Sequence, residues 1–214
     1  MVQIRKGTLV RLLLVRHGQT TSNVRHVIDT ADPGAALTDL GREQAKALVG
    51  ALAEESIDVV IASTLLRAQQ TASPIARARD LPLGVRDGIR EIGAGDLEMR
   101  GDTAASEQYV TTILSWADGD LDPVMPGGGG GRDMLAAFDE VVAEVEASGV
   151  ATAVLVSHLA AIVTWAVARA ANVDTVFAVG HWLPNTGIVI LEGSGSHWVV
   201  ECWSGAPMPA IPLG

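Results

Sequence analysis

The chain has one cysteine, Cys202, among 214 residues. One thiol excludes an intrachain disulfide framework and a cysteine-based structural zinc site, and it fits a reducing, cytoplasmic location. Basic residues are also scarce, because 15 Lys and Arg stand against 25 Asp and Glu, which gives a formal net charge of −10. An acidic surface repels a phosphate backbone, so we expect no nucleic-acid partner.

Long hydrophobic runs are missing as well. The apolar run at residues 12–15 is too short for the core of an export signal. The most apolar stretch, residues 153–168, is interrupted by Ser157, His158 and Thr164. A membrane-spanning helix needs roughly 20 apolar residues in a row. We therefore expect no export signal and no membrane partner, and we interpret residues 153–168 as a buried strand followed by a buried helix.

What the sequence does contain is an alternation of short apolar runs and longer helical patterns. Strands are predicted over residues 11–15, 59–62, 153–156, 187–191 and 198–203. Helices are predicted over residues 38–55, 65–79 (with a kink or break at Pro74), 104–116, 132–147 and 160–171. This order predicts an α/β fold, a three-layer αβα sandwich with a mostly parallel central sheet and helices on both faces. Residues 1–214 are predicted to form a single domain, with a core over about residues 10–204 and an irregular tail over residues 205–214.

Reactive side chains follow two of the predicted strands. Arg16 and His17 come directly after the first strand, and His158 follows the strand at residues 153–156. Ligands bind outside the carboxyl ends of the strands in such sheets. A charged pair after a buried strand is costly to desolvate without an anionic partner. Gly18 would let the backbone approach that ligand, and Asn23 would offer amide donors.

Two further segments carry candidate groups. Ser63 can cap the helix over residues 65–79, and Arg67 would lie in its first turns, where it is favoured only if it points toward an anion. Glu91 lies beside two glycines and could act as a general acid if burial raises its pKa. Each of these residues, taken alone, also fits a plain surface, loop or core position. The five histidines show no metal-ligand spacing, so no metal site is expected.

Together these segments resemble the histidine phosphatase superfamily, also called the phosphoglycerate mutase-like family. The matching motifs, in chain order, are Arg16-His17-Gly18-x-Thr20-x-x-Asn23, Leu37-Thr38-x-x-Gly41-x-x-Gln44-Ala45, Ser63-x-x-x-Arg67-Ala68-x-x-Thr71-Ala72, Glu91 and Ser157-His158. The chain departs from the family pattern at Leu159, where a glycine is usual, and in the run 127–131, which lacks the usual glutamate. The aromatic residue and the Trp-Glu-Gly ending that usually accompany Glu91 are replaced as well.

The resemblance implies a phosphohistidine mechanism, and it implies the role of each site residue. His17 would attack phosphorus, while Arg16, Arg67 and a protonated His158 surround the phosphoryl oxygens. Glu91 would protonate the leaving oxygen and then activate water. The predicted phosphate-binding set is Arg16, Gly18, Asn23, Arg67, His158 and Leu159. No metal or other cofactor is implied.

The same resemblance leaves three functions open. We favour a phosphatase acting on a small phosphorylated metabolite, because the stretch from Glu91 to His158 is short and an open cleft admits water. A phosphoglycerate mutase-type transfer and a non-catalytic phosphoryl-binding module are the alternatives. The sequence names no substrate, and it leaves open whether the chain forms a homodimer.

Overall fold

The fold is seen in a computed structural model that describes residues 9–208. The strands are β1 (Val10–Arg16), β2 (Val59–Ser63), β3 (Leu83–Arg86), β4 (Thr152–Ser157), β5 (Ile188–Ser194), β6 (His197–Trp203) and β7 (Ala206–Pro207). The helices are α1 (Thr21–Arg25), α2 (Asp39–Ala51), α3 (Leu66–Ala78), α4 (Thr103–Ala117), α5 (Gly131–Ser148), α6 (Leu159–Arg169) and α7 (Thr175–Gly180). Single turns of 3₁₀ helix lie at Asp87–Ile89 and Gly95–Leu97.

The strands form one seven-stranded sheet in the order β3-β2-β4-β1-β5-β6-β7. The first four strands in that order run parallel, and β5, β6 and β7 each pair antiparallel with a neighbour. Because β1, β2 and β4 are parallel neighbours, their carboxyl ends meet at one edge of the sheet. That edge holds Arg16, Ser63 and Ser157, the last residues of the three strands.

The core lies on both faces of the sheet, as the fully apolar central strands require. Along β1, Leu13 and Val15 face a cluster that includes residues of α2 and α3, whereas Leu12 and Leu14 face the cluster built with α4, α5 and α6. This alternation follows the two-residue period of a strand. It produces the predicted three-layer sandwich, with helices on both faces of the sheet.

Local sequence signals explain where several helices begin. Thr38 is the N-cap of α2, and its Oγ1 accepts the Gly41 N–H at 3.0 Å. Asp102 caps α4 through the Ala105 N–H. Among residues 9–208, none of the helices combines the length and the apolar character that crossing a bilayer requires.

The structure also corrects parts of the sequence analysis. The helix α3 continues through Pro74, so of the kink or break that was predicted there the break is absent. The helices α1 and α7 and the short strand β3 were not predicted. The tail is not wholly irregular, since Ala206 and Pro207 pair with β6. Residues 209–214 lie outside the described part of the chain.

Candidate active site

A cavity of about 130 Å³ opens at the carboxyl ends of the central strands. It is lined by Arg16, His17, Thr20, Ser22, Asn23, Val27, Ile28, Asp29, Thr30, Arg67, Glu91, Tyr109 and Leu159. Most of the predicted site residues therefore meet here, although they come from distant parts of the sequence. His158 is fully buried beside this group, with its ring centroid 5.1 Å from that of His17.

The contacts of His17 favour a neutral imidazole whose hydrogen is on Nδ1 and whose lone pair is on Nε2. Its Nδ1 lies 2.7 Å from the Gly18 carbonyl oxygen. A carbonyl only accepts, so Nδ1 carries the hydrogen and Nε2 keeps a lone pair. Burial lowers the pKa of His17 well below 6.5, and the nearby Arg67 and Arg16 lower it further. The ring is therefore in the form that a nucleophile needs.

Arg67 lies in the first turn of α3 and is almost fully buried, with an exposed fraction of 2%. Its Nε donates to His17 Nε2 at 3.1 Å, and its Nη2 donates to the Asp29 carbonyl oxygen at 2.8 Å. The Asp29 carboxylate is 3.8 Å from Nη1. These contacts turn the Arg67 guanidinium toward His17 and away from solvent.

Arg16 brings a second guanidinium to the cavity. It ends β1, and its Nη1 donates to the Leu183 carbonyl oxygen at 2.5 Å. Its backbone N–H donates to the Gly187 carbonyl oxygen, so both the backbone and the side chain of Arg16 are fixed by hydrogen bonds. Two guanidinium groups beside a neutral imidazole make the cavity suited to an anion.

The surroundings of His158 favour the neutral imidazole, whereas the family resemblance implies a protonated ring around a bound phosphoryl group. Burial lowers its pKa well below 6.5, and His17, Arg67 and Arg16 add to the effect. Its Nε2 lies 2.6 Å from the hydroxyl of Ser63. Ser63 is thus not the N-cap of α3. Leu65 occupies that position, and its N–H donates to the Ser63 oxygen.

Three buried nitrogens in the site have no hydrogen-bond partner. They are Arg16 Nε, Arg67 Nη1 and His158 Nδ1, and no other buried side-chain nitrogen or oxygen in residues 9–208 is left without a partner. An unsatisfied buried polar group costs about 1–3 kcal/mol. All three belong to residues around His17, where two guanidinium groups favour an anion.

Glu91 places a carboxylate at the edge of the same cavity. Its Oε1 accepts the Ile92 and Ala161 N–H groups, each at 3.0 Å, and its Oε2 has one long contact of 3.4 Å with the Ala160 N–H. Burial raises the pKa of Glu91, against the opposing effects of Arg67 and the three backbone donors. A carboxyl group with a raised pKa and one lightly bonded oxygen can exchange a proton.

The segment before β5 holds His17 in place. Asn185 Nδ2 donates to the His17 carbonyl oxygen and to Asn23 Oδ1, both at 3.1 Å. The Thr186 N–H donates to the carbonyl oxygens of Arg16 and His17, and Thr186 takes a left-handed φ of 60° to do so. This conformation is unfavourable for a β-branched residue.

Not every predicted site residue contacts the cavity. Gly18 does not line it. A Cβ there would lie 2.6 Å from the Gly41 carbonyl oxygen, so its close approach is to α2 and not to a ligand. Asn23 lines the cavity, but its Oδ1 also accepts the Thr20 N–H, which leaves Nδ2 as the group that can serve a ligand. Leu159 lines the cavity as predicted.

Sequence reasoning missed several residues of the site. Asp29 and Tyr109 line the cavity, and Asn185 supports it, but none of them follows a predicted strand. Only Asn185 had a signal, because Pro184-Asn185-Thr186-Gly187 is typical of a turn and precedes a predicted strand. Residues 9–208 contain no group of three or more His, Cys, Asp or Glu side chains placed to bind a metal ion.

Comparison with known proteins places this geometry in a family. A sequence model of the histidine phosphatase superfamily (branch 1) matches residues 12–205. The chain is 30% identical to an adenosylcobalamin/alpha-ribazole phosphatase of Salmonella typhimurium over 150 residues, which cover 70% of this chain and 74% of that protein. It is also 31% identical to a PE-PGRS family protein of Mycobacterium tuberculosis over 97% of this chain but only 38% of that protein.

Solved structures agree with the sequence comparisons. A mycobacterial glucosyl-3-phosphoglycerate phosphatase, in complex with VO3, superposes with a TM-score of 0.76 at 26% identity, covering 91% of this chain and 98% of that one. The family match spans nearly all of the described residues and includes each strand end that carries a site residue. The chain belongs to the histidine phosphatase superfamily.

Proposed function

We propose that this protein hydrolyses phosphate monoesters through a phosphohistidine formed on His17. The observation that carries the proposal is the set of three unpartnered buried nitrogens around His17. They belong to Arg16, Arg67 and His158. A phosphoryl group supplies enough acceptor oxygens for all three, and its negative charge matches the two guanidinium groups.

In the first step, His17 Nε2 attacks phosphorus in line with the leaving oxygen. The N–P bond forms as the P–O bond breaks, and the leaving group takes the bonding electrons. Arg67 Nε donates to His17 Nε2 in the structure. When a phosphoryl group enters the site, the Arg67 guanidinium donates to its oxygens instead. The lone pair of His17 Nε2 is then free to attack phosphorus. The His17 Nδ1–H stays on the Gly18 carbonyl oxygen and supports the positive charge that develops on the ring.

Glu91 supplies the proton that the leaving oxygen needs. Its Oε2 is the freer of its two oxygens, so the proton is carried there. Because burial raises the pKa of Glu91, its carboxyl group keeps the proton to a higher pH than an exposed glutamate does. In the second step the deprotonated Glu91 takes a proton from water, and the water oxygen attacks the phosphorus of phospho-His17. Phosphate leaves and the imidazole is restored.

The substrate is proposed to be a small phosphorylated metabolite. The cavity of about 130 Å³ accepts a phosphoryl group and leaves the rest of the substrate outside it. Two relatives are named as phosphatases of different substrates, one as an adenosylcobalamin/alpha-ribazole phosphatase and one as a glucosyl-3-phosphoglycerate phosphatase. They support the reaction class more strongly than any one substrate.

The test is turnover of p-nitrophenyl phosphate in EDTA. His17→Ala is expected to lower kcat by about 10³-fold or more, because water cannot replace a covalent catalyst. His197→Ala is the matched control, since His197 is exposed at the start of β6, and it should keep the wild-type kcat. Near-normal turnover by His17→Ala would overturn the mechanism. Phosphate binding without turnover by the wild type would favour a binding module, and loss of activity in EDTA would contradict metal independence.

A further inference from the structure

The contact between Ser63 and His158 joins two side chains that are fully buried. Ser63 Oγ and His158 Nε2 are 2.6 Å apart, and both residues have an exposed fraction of 0%. One ring nitrogen of His158 is therefore occupied by protein. The other, Nδ1, has no partner.

The hydrogen positions in this contact follow from the available donors and acceptors. Ser63 Oγ already accepts the Leu65 N–H at 3.3 Å. Within the described part of the chain, the hydroxyl hydrogen of Ser63 has His158 Nε2 as its acceptor and no other hydrogen-bond acceptor. Buried hydroxyl groups nearly always donate, so the hydrogen points to Nε2. A neutral ring that accepts at Nε2 carries its own hydrogen at Nδ1.

We propose that Ser63 is a positioning residue that holds neutral His158 as the Nδ1–H tautomer, so that His158 donates a hydrogen bond to the phosphoryl group without taking up a proton. The inference rests on the proposed function only for the identity of the acceptor. This tautomer accounts for the unpartnered Nδ1, because it makes Nδ1 a donor that can bind an anion. It also removes the need for a third positive charge beside Arg16 and Arg67.

The tautomer can be measured in the wild-type protein without ligand or turnover. Long-range ¹H–¹⁵N correlation spectra of the labelled protein separate protonated from unprotonated ring nitrogens, and a His158→Asn variant identifies the His158 signals. The result expected at pH 7 is a protonated Nδ1 and an unprotonated Nε2. A protonated Nε2 with an unprotonated Nδ1, or a ring protonated on both nitrogens, would overturn the proposal.

Ser63→Ala tests the role of the hydroxyl. In this variant the His158 signals should shift toward the Nε2–H form. The inhibition constant for inorganic phosphate should rise about tenfold, the scale of one hydrogen bond to a charged group. Ser157→Ala is the matched control, because it removes another buried serine hydroxyl, bonded to the Ile89 carbonyl oxygen, one residue away from His158. It should leave the His158 tautomer as in the wild type.

The outcomes separate this inference from the proposed function. If Ser63→Ala leaves both the tautomer and the inhibition constant unchanged, Ser63 has no positioning role, whatever His17→Ala does to turnover. If the wild type shows the Nδ1–H form and Ser63→Ala loses it, the inference stands even where no phosphohistidine is found on His17. In that case the proposed phosphohistidine mechanism fails, while the role of Ser63 in setting the His158 tautomer stands.

Discussion

Glu91 is the residue whose two carboxylate oxygens have different surroundings. Oε1 accepts two backbone N–H groups at 3.0 Å, one of them at the start of α6, whereas Oε2 has one contact at 3.4 Å. The first oxygen fixes the side chain to the helix terminus, as an N-terminal cap does. In the proposed mechanism, the second oxygen exchanges a proton with the leaving group.

Glu91→Gln should therefore separate substrates by their leaving groups. An alkyl phosphate leaves as a strongly basic alkoxide and needs the proton, so its hydrolysis should slow by about 10²–10⁴-fold. A nitrophenolate leaves without help, and its release in the first turnover should slow much less. The measurement is the pre-steady-state burst of nitrophenolate beside single-turnover rates for the alkyl phosphate.

Glu98 is another carboxylate near the site, bonded to Thr30 of the cavity wall, and it supplies the control. Its carboxylate accepts from the Thr30 and Ala31 N–H groups and from the Thr30 hydroxyl, so it connects two loops. Glu98→Gln should change both substrates by the same factor. An equal loss on both substrates in Glu91→Gln, with a leaving-group dependence in Glu98→Gln, would move the proton-donor role to Glu98.

At the residue level, the sequence was enough to predict which side chains come together at the candidate site. His17, His158 and Arg16 could be found because they follow strands whose carboxyl ends meet. The tautomers of the two histidines could not, since they depend on Gly18 and Ser63 through contacts made only in the folded chain. The pKa of His158 is likewise lowered by burial and by neighbouring groups, and no local sequence pattern reports this.

At the level of elements, the segment leading into β5 connects the nucleophile to its surroundings. β5 pairs antiparallel with β1, so the residues just before β5 meet those just after β1. Asn185 uses both amide hydrogens there, one on the His17 carbonyl oxygen and one on Asn23 Oδ1. The second bond keeps the Asn23 amide turned so that its Nδ2 is available to a ligand.

Asn185→Ala should accordingly lower kcat by about tenfold, since two hydrogen bonds of about 0.5–1.5 kcal/mol each no longer hold the nucleophile. Steady-state kinetics with p-nitrophenyl phosphate measure this. The comparison variant is Asn172→Ala, which removes a side chain that bonds the Val200 carbonyl oxygen and N–H at a distance from the site. It should lower the melting temperature and leave kcat unchanged. Equal kcat values for Asn185→Ala and the wild type would show that the segment does not position His17.

The elements that the sequence predicted and those that it missed differ in length and pattern. The helices α2, α3, α4 and α5 are 13 residues or longer and carry clear apolar stripes or caps, and each was predicted within four residues of its ends. The strand β3 has four residues and contains a glycine, and α1 and α7 have five and six residues. Such short pieces are stabilised by tertiary contacts, which a single sequence does not display.

For the whole molecule, the buried histidines connect the site to the stability of the fold. The pKa values of His17 and His158 are both lowered well below 6.5, mainly by burial. In the unfolded chain both rings bind protons below about pH 6.5, whereas in the fold they stay neutral until a lower pH. Acidification from pH 7 therefore favours the unfolded state. Glu91 acts in the opposite direction at lower pH, because its pKa is raised in the fold.

The free energy of unfolding should fall as the pH drops below about 6.5, by up to about 1.4 kcal/mol per pH unit for each of the two histidines. Urea unfolding of the wild type and of His158→Gln at pH 7.0, 6.0 and 5.5 measures the slopes. His158→Gln removes the contribution of one of the two histidines. The slope of its unfolding free energy against pH should therefore be shallower by up to about 1.4 kcal/mol per pH unit. Parallel curves would mean that folding does not shift the pKa of His158, and a steeper slope in the variant would mean that the folded protein raises it.

The central claim is that a covalent phosphohistidine forms on His17 during turnover. The most direct measurement is to trap that intermediate. The protein is mixed with a ³²P-labelled phosphate monoester, quenched in alkali within the first turnover and digested into peptides. The account predicts a label that survives alkali, is lost in acid and maps to His17, and it predicts no label in His17→Ala. Complete turnover with no protein-bound label at any quench time, or a label on another residue that persists in His17→Ala, would contradict it.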